Sequence, residues 1–558
     1  MAKITIDGKE YEVDPKLTVI QAAAQQGIEI PHFCWHPELS VAGNCRMCLV
    51  EIEKMPKLGI ACATQVSEGM VVKTQNERVV KARNAVMEFL LINHPLDCPI
   101  CDEAGECKLQ DYAYKFSIGY SRFDEDKVHK PKRVELGPNV LLDVERCIMC
   151  SRCVRFSDEI AKQPVLTFTQ RGDHVVLTTF PGTQLDNAYS MNVIELCPVG
   201  ALTSTDFRFK SRVWEMSSTE GVCPGCSRGC NMNMWVRQNE LLRLTPRQNE
   251  EVNSYWMCDE GRLKTFKSVN SESRLHGPMI RKDGMLTLVG WDEAIAKAVS
   301  ELRQFKKNEI AGLGSAFATN EDNYVFLKFL KDVVGTKHID FMRHIRGEDD
   351  NLLIRADKTP NSRGVEEVGV RPAEGGKNFN AIIEGIKDGS IKALYVLDDN
   401  IATVPEIASV LPNLELLIVH SSNQNETTNL ADIVFSASAY AEKNGTFTNF
   451  QGRVQRIRAA VATLEQDRAL DGFEMSRWDK FAAHNDRWGR PAKKDARPSW
   501  RIVTAVASAM GNKMKYSSAE DVFKEMAEKV SAFKGLSYLK IGSGGTVLRN
   551  VQVGVPVS

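Results

Sequence analysis

The chain has 558 residues, 43% hydrophobic and 26% charged, with a formal net charge of −1. That length allows several domains with large buried cores, and the near-zero charge argues against a nucleic-acid-binding footprint or an acidic tail. No run approaches the ~18 apolar residues of a membrane span, and the opening MAKITIDGKE lacks the charged-then-apolar layout of an export signal. A soluble chain, or one held at a membrane through partners, is expected.

In chain order, KITID and KEYEV alternate in period two around Asp7-Gly8, the signature of a type I′ hairpin. Thr18 is the expected N-cap of a short helix over VIQAAAQQ that stops at Gly27. Hairpin, helix and cysteine-bearing loop together point to a β-grasp, ferredoxin-like domain. A second helix is expected to open at Thr74, which has capping-box spacing to Glu77. Its inner face reads as Val79, Val86 and Leu90, with Ala82 and Phe89 beside it, and Pro95 ends it with His94 in the last turn. Beyond Cys258 the texture changes. Asp292 opens an amphipathic helix with Ala294, Ile295, Ala298, Val299 and Leu302 inward. Apolar runs (KALYVLDD, LELLIVH, ADIVFSAS) alternate with helical or loop segments, the pattern of an α/β domain with a largely parallel sheet. GLGSAF, Gly312–Phe317, reads as a tight βα turn because Phe317 stands where a dinucleotide fingerprint needs its third glycine. GSGG, Gly542–Gly545, reads as a loop, and the basic tract Gly489–Arg501 as a solvated linker. The expected fold class is multidomain α+β and α/β. No NADH, flavin or quinone site is read from the sequence, nor any Ser/His/Asp or paired-carboxylate grouping.

All fifteen cysteines lie between Cys34 and Cys258. An odd, front-loaded count without an export signal argues against a disulfide framework and leaves metal or redox sites. Cys34, Cys45, Cys48 and Cys62 form C-x10-C-x2-C-x13-C. Thiolates two residues apart bind one centre from a single turn of loop, and the β-grasp setting favours 2Fe–2S over zinc. Cys147, Cys150 and Cys153 form C-x2-C-x2-C, with Cys197-Pro198 supplying the distant fourth ligand, the pattern of one 4Fe–4S cluster in a ferredoxin-like fold. Cys223, Cys226, Cys230 and Cys258 form C-x2-C-x3-C-x27-C, for which a zinc ribbon is the alternative. Cys98, Cys101 and Cys107 remain, and no thiol is left to complete them. His94 is the nearest candidate, giving H-x3-C-x2-C-x5-C, and imidazole is a competent iron ligand. His32 and His36 flank Cys34, but that tetrad is already full, so both read as surrounding residues.

The ordered combination of these sets resembles the large iron–sulfur subunit family of respiratory complex I, the NADH:quinone oxidoreductase, over the N-terminal half to about Arg262. The resemblance implies 2Fe–2S at Cys34, Cys45, Cys48 and Cys62, and 4Fe–4S at His94, Cys98, Cys101 and Cys107. It implies further 4Fe–4S clusters at Cys147, Cys150, Cys153 and Cys197, and at Cys223, Cys226, Cys230 and Cys258, the last being typical of bacterial members and off the main electron route. The C-terminal half resembles, in shortened form, the molybdopterin oxidoreductase superfamily through GWDEAIAKAVSEL (Gly290–Leu302), LYVLDDN (Leu394–Asn400) and EKNGTFTNFQGRVQ (Glu442–Gln455). No cysteine follows Cys258, so no thiolate metal ligand is available there, and no pterin or molybdenum is expected.

The domains expected are 1–78 (2Fe–2S ferredoxin type), 79–118 (His/Cys 4Fe–4S), 119–215 (ferredoxin-like 4Fe–4S), 216–272 (4Fe–4S of the molybdopterin-oxidoreductase type) and 273–558 (α/β). The implied role is an electron-transfer subunit without an active site of its own, in a hetero-oligomer with an FMN/NADH-binding subunit and other peripheral-arm subunits. Its implied place is the cytoplasmic face of a bacterial inner membrane, reached through partners, with no nucleic acid bound. The alternative is the iron–sulfur subunit of a soluble NAD-linked hydrogenase or formate dehydrogenase. An iron-only hydrogenase would need further C-terminal cysteines, and a non-redox zinc scaffold remains the bland reading.

Overall fold

A computed structural model describes residues 1–465 and 493–549. The chain divides into two compact units, Met1–Glu215 and Met216–Ser558.

The first unit opens with β1 (Ala2–Ile6) and β2 (Lys9–Val13), joined at Asp7 and Gly8, both in the left-handed region (φ 49° and 82°) that a type I′ turn requires. Helix α1 (Val19–Gln25) is capped by Thr18, and β3 (Leu49–Ile52), β4 (Gly59–Ile60) and β5 (Met70–Lys73) complete a sheet of order β2-β1-β5-β3-β4. Val19, Ile20, Ala22 and Ala23 of α1 pack on Ile4, Ile6, Val50 and Val72, which is the β-grasp arrangement. Cys48 and Cys62 belong to that same core, so the first thiol set is anchored to the best-packed part of the domain.

Helix α2 (Glu77–Ile92) departs from expectation at both ends. Its N-cap is Asn76, whose side chain accepts from Val79 N. Thr74 instead donates its amide to Asp7 at 2.6 Å and pairs its hydroxyl with the same carboxylate, tying the strand end to the hairpin. Asn93 caps the C-terminus, so His94 lies just outside the helix rather than in its last turn. The buried stripe is Val79, Arg83 and Met87, spaced i, i+4, i+8. Val86 and Leu90 are half-buried and Phe89 is 77% exposed. Apolar periodicity alone overlooks the buried arginine.

Helix α3 (Lys108–Phe116) follows Cys107. Next come β6 (Val134–Glu135), β7 (Val140–Leu142), the one-turn helix α4 (Arg152–Arg155), β8 (Leu166–Thr169), β9 (Val176–Thr179), α5 (Asn192–Leu196) and β10 (Leu202–Ser204). Strands β10, β7 and β6 form one sheet, and β8 with β9 a hairpin. Cys197 caps α5, while Cys153 lies within α4.

The second unit begins with the meander β11 (Ser217–Val222), β12 (Asn231–Arg237) and β13 (Glu240–Pro246), then α6 (Asp259–Asn270), whose N-cap is Cys258. A seven-stranded sheet follows, built from β14 (Met279–Lys282), β15 (Met285–Leu288), β16 (Ile310–Gly314), β17 (His338–Phe341), β18 (Ala393–Val396), β19 (Leu416–Ser421) and β20 (Ile433–Ser436). Its order is β15-β14-β20-β19-β18-β16-β17, with the five strands from β20 to β17 parallel. ALYV, LLIVHS and IVFS are buried at every position, as a sheet covered on both faces demands. The helix expected from Asp292 starts one residue earlier, at Trp291, capped by Gly290, with Ile295 only half-buried.

The linker expected at Gly489–Arg501 is corrected in its described part, residues 493–501; its remainder lies outside the described residues. Ser499 and Trp500 are buried and begin the helix Ser499–Ala509, because Trp500 joins the apolar core of the α/β sheet. No helix among the described residues is long and apolar enough to cross a membrane.

Candidate metal-cluster sites

All fifteen cysteines are free thiols, and fourteen of them are buried or partly buried, Cys98 being the exposed exception. Among the described residues no three His, Cys, Asp or Glu side chains close on one point as a single metal ion requires; the thiols meet pairwise.

In the first set Cys34 interacts directly with Cys45 and Cys62, and Cys48 with Cys62. These thiol neighbours, before burial, draw Cys34 and Cys48 down and push Cys45 and Cys62 up. Four sulfurs so placed lose protons unevenly on their own, and a bound cation would take the place of those protons.

In the third set burial pushes Cys147 up to about 12 and holds Cys150, Cys153 and Cys197 above the ordinary thiol range. Charges on Cys147 and Cys150 act next on Cys153 and Cys197, so all four share one pocket of interactions. The loop that carries them is conformationally costly. Met149 and Ser151, neither a glycine, sit in the left-handed region at φ 55° and 62°, as Arg46 does between Cys45 and Cys48 at 59°. Alternation of this kind turns successive amides to one side and makes the anion-binding concavities used at iron–sulfur sites.

The fourth set is closed by tertiary contact. Cys223 N donates to Cys230 O at 2.8 Å, and a Cβ on Gly261 would lie 3.0 Å from Cys223 Sγ and 3.2 Å from Cys258 Sγ. The expected return of Cys258 to the other thiols is therefore present. Burial raises all three of Cys223, Cys230 and Cys258, the last to about 11.

The second set is the most open. Burial lifts Cys107 to about 12 and raises Cys101, while Leu96 and Ile100 stand exposed beside Cys98. Arg212 donates to the Cys101 and Pro99 carbonyls and pins this loop. Asp97 pairs with Lys132 at 2.6 Å and Arg146 at 3.1 Å. His94 makes no hydrogen bond among the described residues; burial, then the charge of Arg146, lowers it to about 4. It is a neutral imidazole at pH 7 with both nitrogens uncommitted, as metal ligation needs. His32 and His36 are also lowered, to about 4 and 3, by burial first. His32 is committed to Ile30 O, and His36 accepts from Glu38 N.

Backbone amides aimed at sulfur recur in every set: Met47 at Cys45, Glu103 at Cys101, Met149 at Cys147, Arg152 at Cys150, Gly225 at Cys223 and Gly261 at Cys258. Such donors favour the thiolate that a cluster binds. Buried thiols, amide donors and left-handed loop residues fit iron–sulfur clusters.

Chain order is not spatial order. The third set touches both the others in its unit. A Cβ on Gly200, three residues past Cys197, would fall 2.3 Å from Cys101 Sγ, and Lys108 N, beside Cys107, donates to Pro198 O at 3.1 Å. Toward the first set, Arg155 Nη2 donates to Cys34 O at 2.5 Å and Cys150 O at 3.5 Å. Arg152 donates to Leu196 O at 3.2 Å and Trp35 O at 2.5 Å. Sequence reasoning missed both arginines; their only local signal is position, inside and just after C-x2-C-x2-C.

Family models match in chain order: residues 1–77, a 2Fe-2S iron-sulfur cluster binding domain; 83–122, the NADH-ubiquinone oxidoreductase-G iron-sulfur binding region; and 137–203, the ferredoxin-like domain of NADH-quinone oxidoreductase subunit 3. Residues 216–267 match the molybdopterin oxidoreductase Fe4S4 domain and 367–469 molybdopterin oxidoreductase. The G subunit of NADH-quinone oxidoreductase from Rickettsia bellii is 43% identical over 333 residues, 60% of this chain and 48% of the relative. Its counterpart from Streptomyces coelicolor is 40% identical over 359 residues, 64% of this chain and 42% of the relative. The NADH-ubiquinone oxidoreductase 75 kDa subunit of Reclinomonas americana is 41% identical over 338 residues, 60% and 48% of the two chains. The matches thus span about half the length of these curated relatives. Among solved structures, a chain of an NAD+-reducing [NiFe]-hydrogenase in the H2-reduced state is 30% identical, with 38% of this chain and 91% of that one covered and a TM-score of 0.34. Over about three fifths of its own length the chain is a homologue of the G and 75 kDa subunits of NADH-quinone oxidoreductase, and iron–sulfur domain models match within its first 267 residues.

Proposed function

We propose that the chain is an electron conduit, relaying single electrons from an NADH-oxidising FMN subunit toward quinone, with no active site of its own. It would hold 2Fe–2S at Cys34, Cys45, Cys48 and Cys62, and 4Fe–4S at His94, Cys98, Cys101 and Cys107. Further 4Fe–4S clusters would sit at Cys147, Cys150, Cys153 and Cys197, and at Cys223, Cys226, Cys230 and Cys258. The five domain ranges follow these four sets plus the α/β domain. Such clusters, when bound, supply one-electron chemistry in which no bond to a substrate is made. The residues around them bury the sulfurs, aim amides at them and fix the loops.

One observation carries the reading: the third set lies in contact with both the first and the second inside one unit. A route entering at Cys34–Cys62 would pass through Cys147–Cys197 and leave at Cys98–Cys107, where Cys98, Leu96 and Ile100 are exposed to receive the next carrier. The fourth set belongs to the other unit; by the family resemblance it would lie off that route. A peripheral position on the cytoplasmic side of a bacterial membrane, reached through partner subunits, belongs to the same proposal.

Metal analysis and EPR test it. One 2Fe–2S and three 4Fe–4S clusters amount to about fourteen irons per chain, and zinc in their place, or no reducible EPR signal, would sink the reading. His94→Ala and His94→Cys should alter one 4Fe–4S signal and spare the rest. Copurification with an FMN protein and membrane subunits, rather than with a soluble hydrogenase or formate dehydrogenase, separates complex I from the alternative.

A further inference from the structure

Two arginines occupy the ground between the first and third thiol sets, and neither is a ligand. Arg155 reaches the Cys34 and Cys150 carbonyls with one nitrogen, Ser40 O with another, and Ser151 Oγ at 3.2 Å with Nε. Arg152, 5% exposed, spans from Leu196 O, next to Cys197, to Trp35 O, next to Cys34. The seam is closed by Glu159, which accepts from Ser40 N at 2.8 Å, and by Asn44, which donates to Met149 O at 3.1 Å. Together these contacts join the Cys34–Cys45 loop to the Cys147–Cys197 elements. No aliphatic packing would fix two polar loops to this degree, since each carbonyl here needs a donor, and the planar guanidinium supplies several in fixed directions.

We infer that Arg155, seconded by Arg152, is the positioning residue of the electron step between the 2Fe–2S site and the Cys147–Cys197 site. It sets their separation and joins the two ligand backbones through hydrogen bonds on a single guanidinium. The inference rests on the conduit reading. In the step one electron leaves one cluster and arrives at the other. No proton moves with it at the arginines, because a guanidinium stays protonated in proteins. Its charge also stabilises the extra electron on either side, so it favours the reduced form of both clusters.

The test uses the full chain carrying its clusters, with Arg155→Lys, Arg155→Gln and Arg155→Met. Pulsed EPR of the reduced wild type should show magnetic interaction between the 2Fe–2S signal and one of the two 4Fe–4S signals that His94 variants leave unchanged, and that one is assigned to Cys147–Cys197. Freeze-quench EPR after a pulse of reductant gives the rate between them, and redox titration gives both potentials. Lysine keeps the charge but concentrates its donors on one nitrogen and lacks the planar fork that reaches the cysteine carbonyls, Ser40 and Ser151 from three separate nitrogens. It should preserve the potentials and slow transfer several-fold. Glutamine and methionine should slow transfer and lower both potentials, by about 59 mV for each tenfold change in the one-electron equilibrium. The cluster at Cys98–Cys107 serves as the internal control and should keep its potential. If methionine costs a cluster, the lysine and glutamine variants decide. Wild-type rates in variants with all clusters present would overturn the inference while leaving the conduit reading intact, whereas a wild-type chain without iron–sulfur signals would overturn the conduit reading itself.

Discussion

Gly200→Ala should disable the second set without touching the first. The added Cβ would stand 2.3 Å from Cys101 Sγ and 2.9 Å from Glu103 Cβ. Non-bonded carbon contacts settle at about 3.5–4.0 Å, so the thiol, or the loop beneath it, must retreat by on the order of 1 Å. Gly200 does not need glycine for its backbone, as its φ is not positive, so close approach alone explains the residue. Overpacking of this kind costs about 1–3 kcal/mol, and in a unit of this size each kcal/mol lowers Tm by about 2–4 °C. The larger effect should be chemical, because a sulfur held by iron cannot step aside as a free thiol can. The expected result is a chain short of one 4Fe–4S cluster, with the EPR signal that His94 variants change now missing, the 2Fe–2S signal intact, and Tm down by several degrees. A Gly200→Ala chain with full iron content, unchanged spectra and unchanged Tm would refute the claim that the second and third sets pack directly together.

Three further outcomes follow from the geometry. Lys443 Nζ lies 2.8 Å from Asp322 and 3.3 Å from Asp398 in the α/β unit; Lys443→Met leaves two buried carboxylates facing each other and should cost about 3–5 kcal/mol in urea unfolding, so an unchanged midpoint would contradict it. Burial holds His420 at about 3, with its ring against Tyr395 Oη at 2.9 Å. Since the unfolded chain protonates near pH 6.5, its contribution is complete above that pH and is lost toward pH 3, at about 1.4 kcal/mol per pH unit. Unfolding followed against pH should show His420→Gln flatter than wild type across that window, and parallel curves would count against this assignment. Ile100, 61% exposed beside Cys98, should matter only for hand-off: Ile100→Asp is expected to slow electron delivery to the next subunit while every EPR signal stays in place.

Much of the site is legible in the sequence because cluster ligands recur at short intervals in the chain. C-x2-C-x2-C and C-x2-C-x3-C are local patterns, and so is the hairpin at Asp7-Gly8. The second helix is less legible. Thr74 and Asn76 both satisfy the chemistry of a cap, and only the contact of Thr74 with Asp7, 67 residues away, decides between them. Arg83 escapes for a related reason: a buried arginine is not visible to hydrophobic periodicity, yet its stem packs inward while Nη2 reaches Leu49 O at 3.1 Å. Trp500 reads as part of a linker because its neighbours in sequence are basic, whereas its burial is set by the sheet it meets.

By itself the sequence determined which thiols belong together, and that three of them lack a fourth partner in a chain with no other cysteine to spare. Those are matters of spacing and count. Only the tertiary structure decided that the third set stands in contact with the other two, that Cys98 faces outward, and that Arg152 and Arg155 stitch two ligand loops more than a hundred residues apart. The physical reason is range. Ligand spacing is governed by the geometry of one loop, whereas the order of sites along a route depends on which loops pack together, and that is settled by burial and hydrogen bonding between segments distant in the chain.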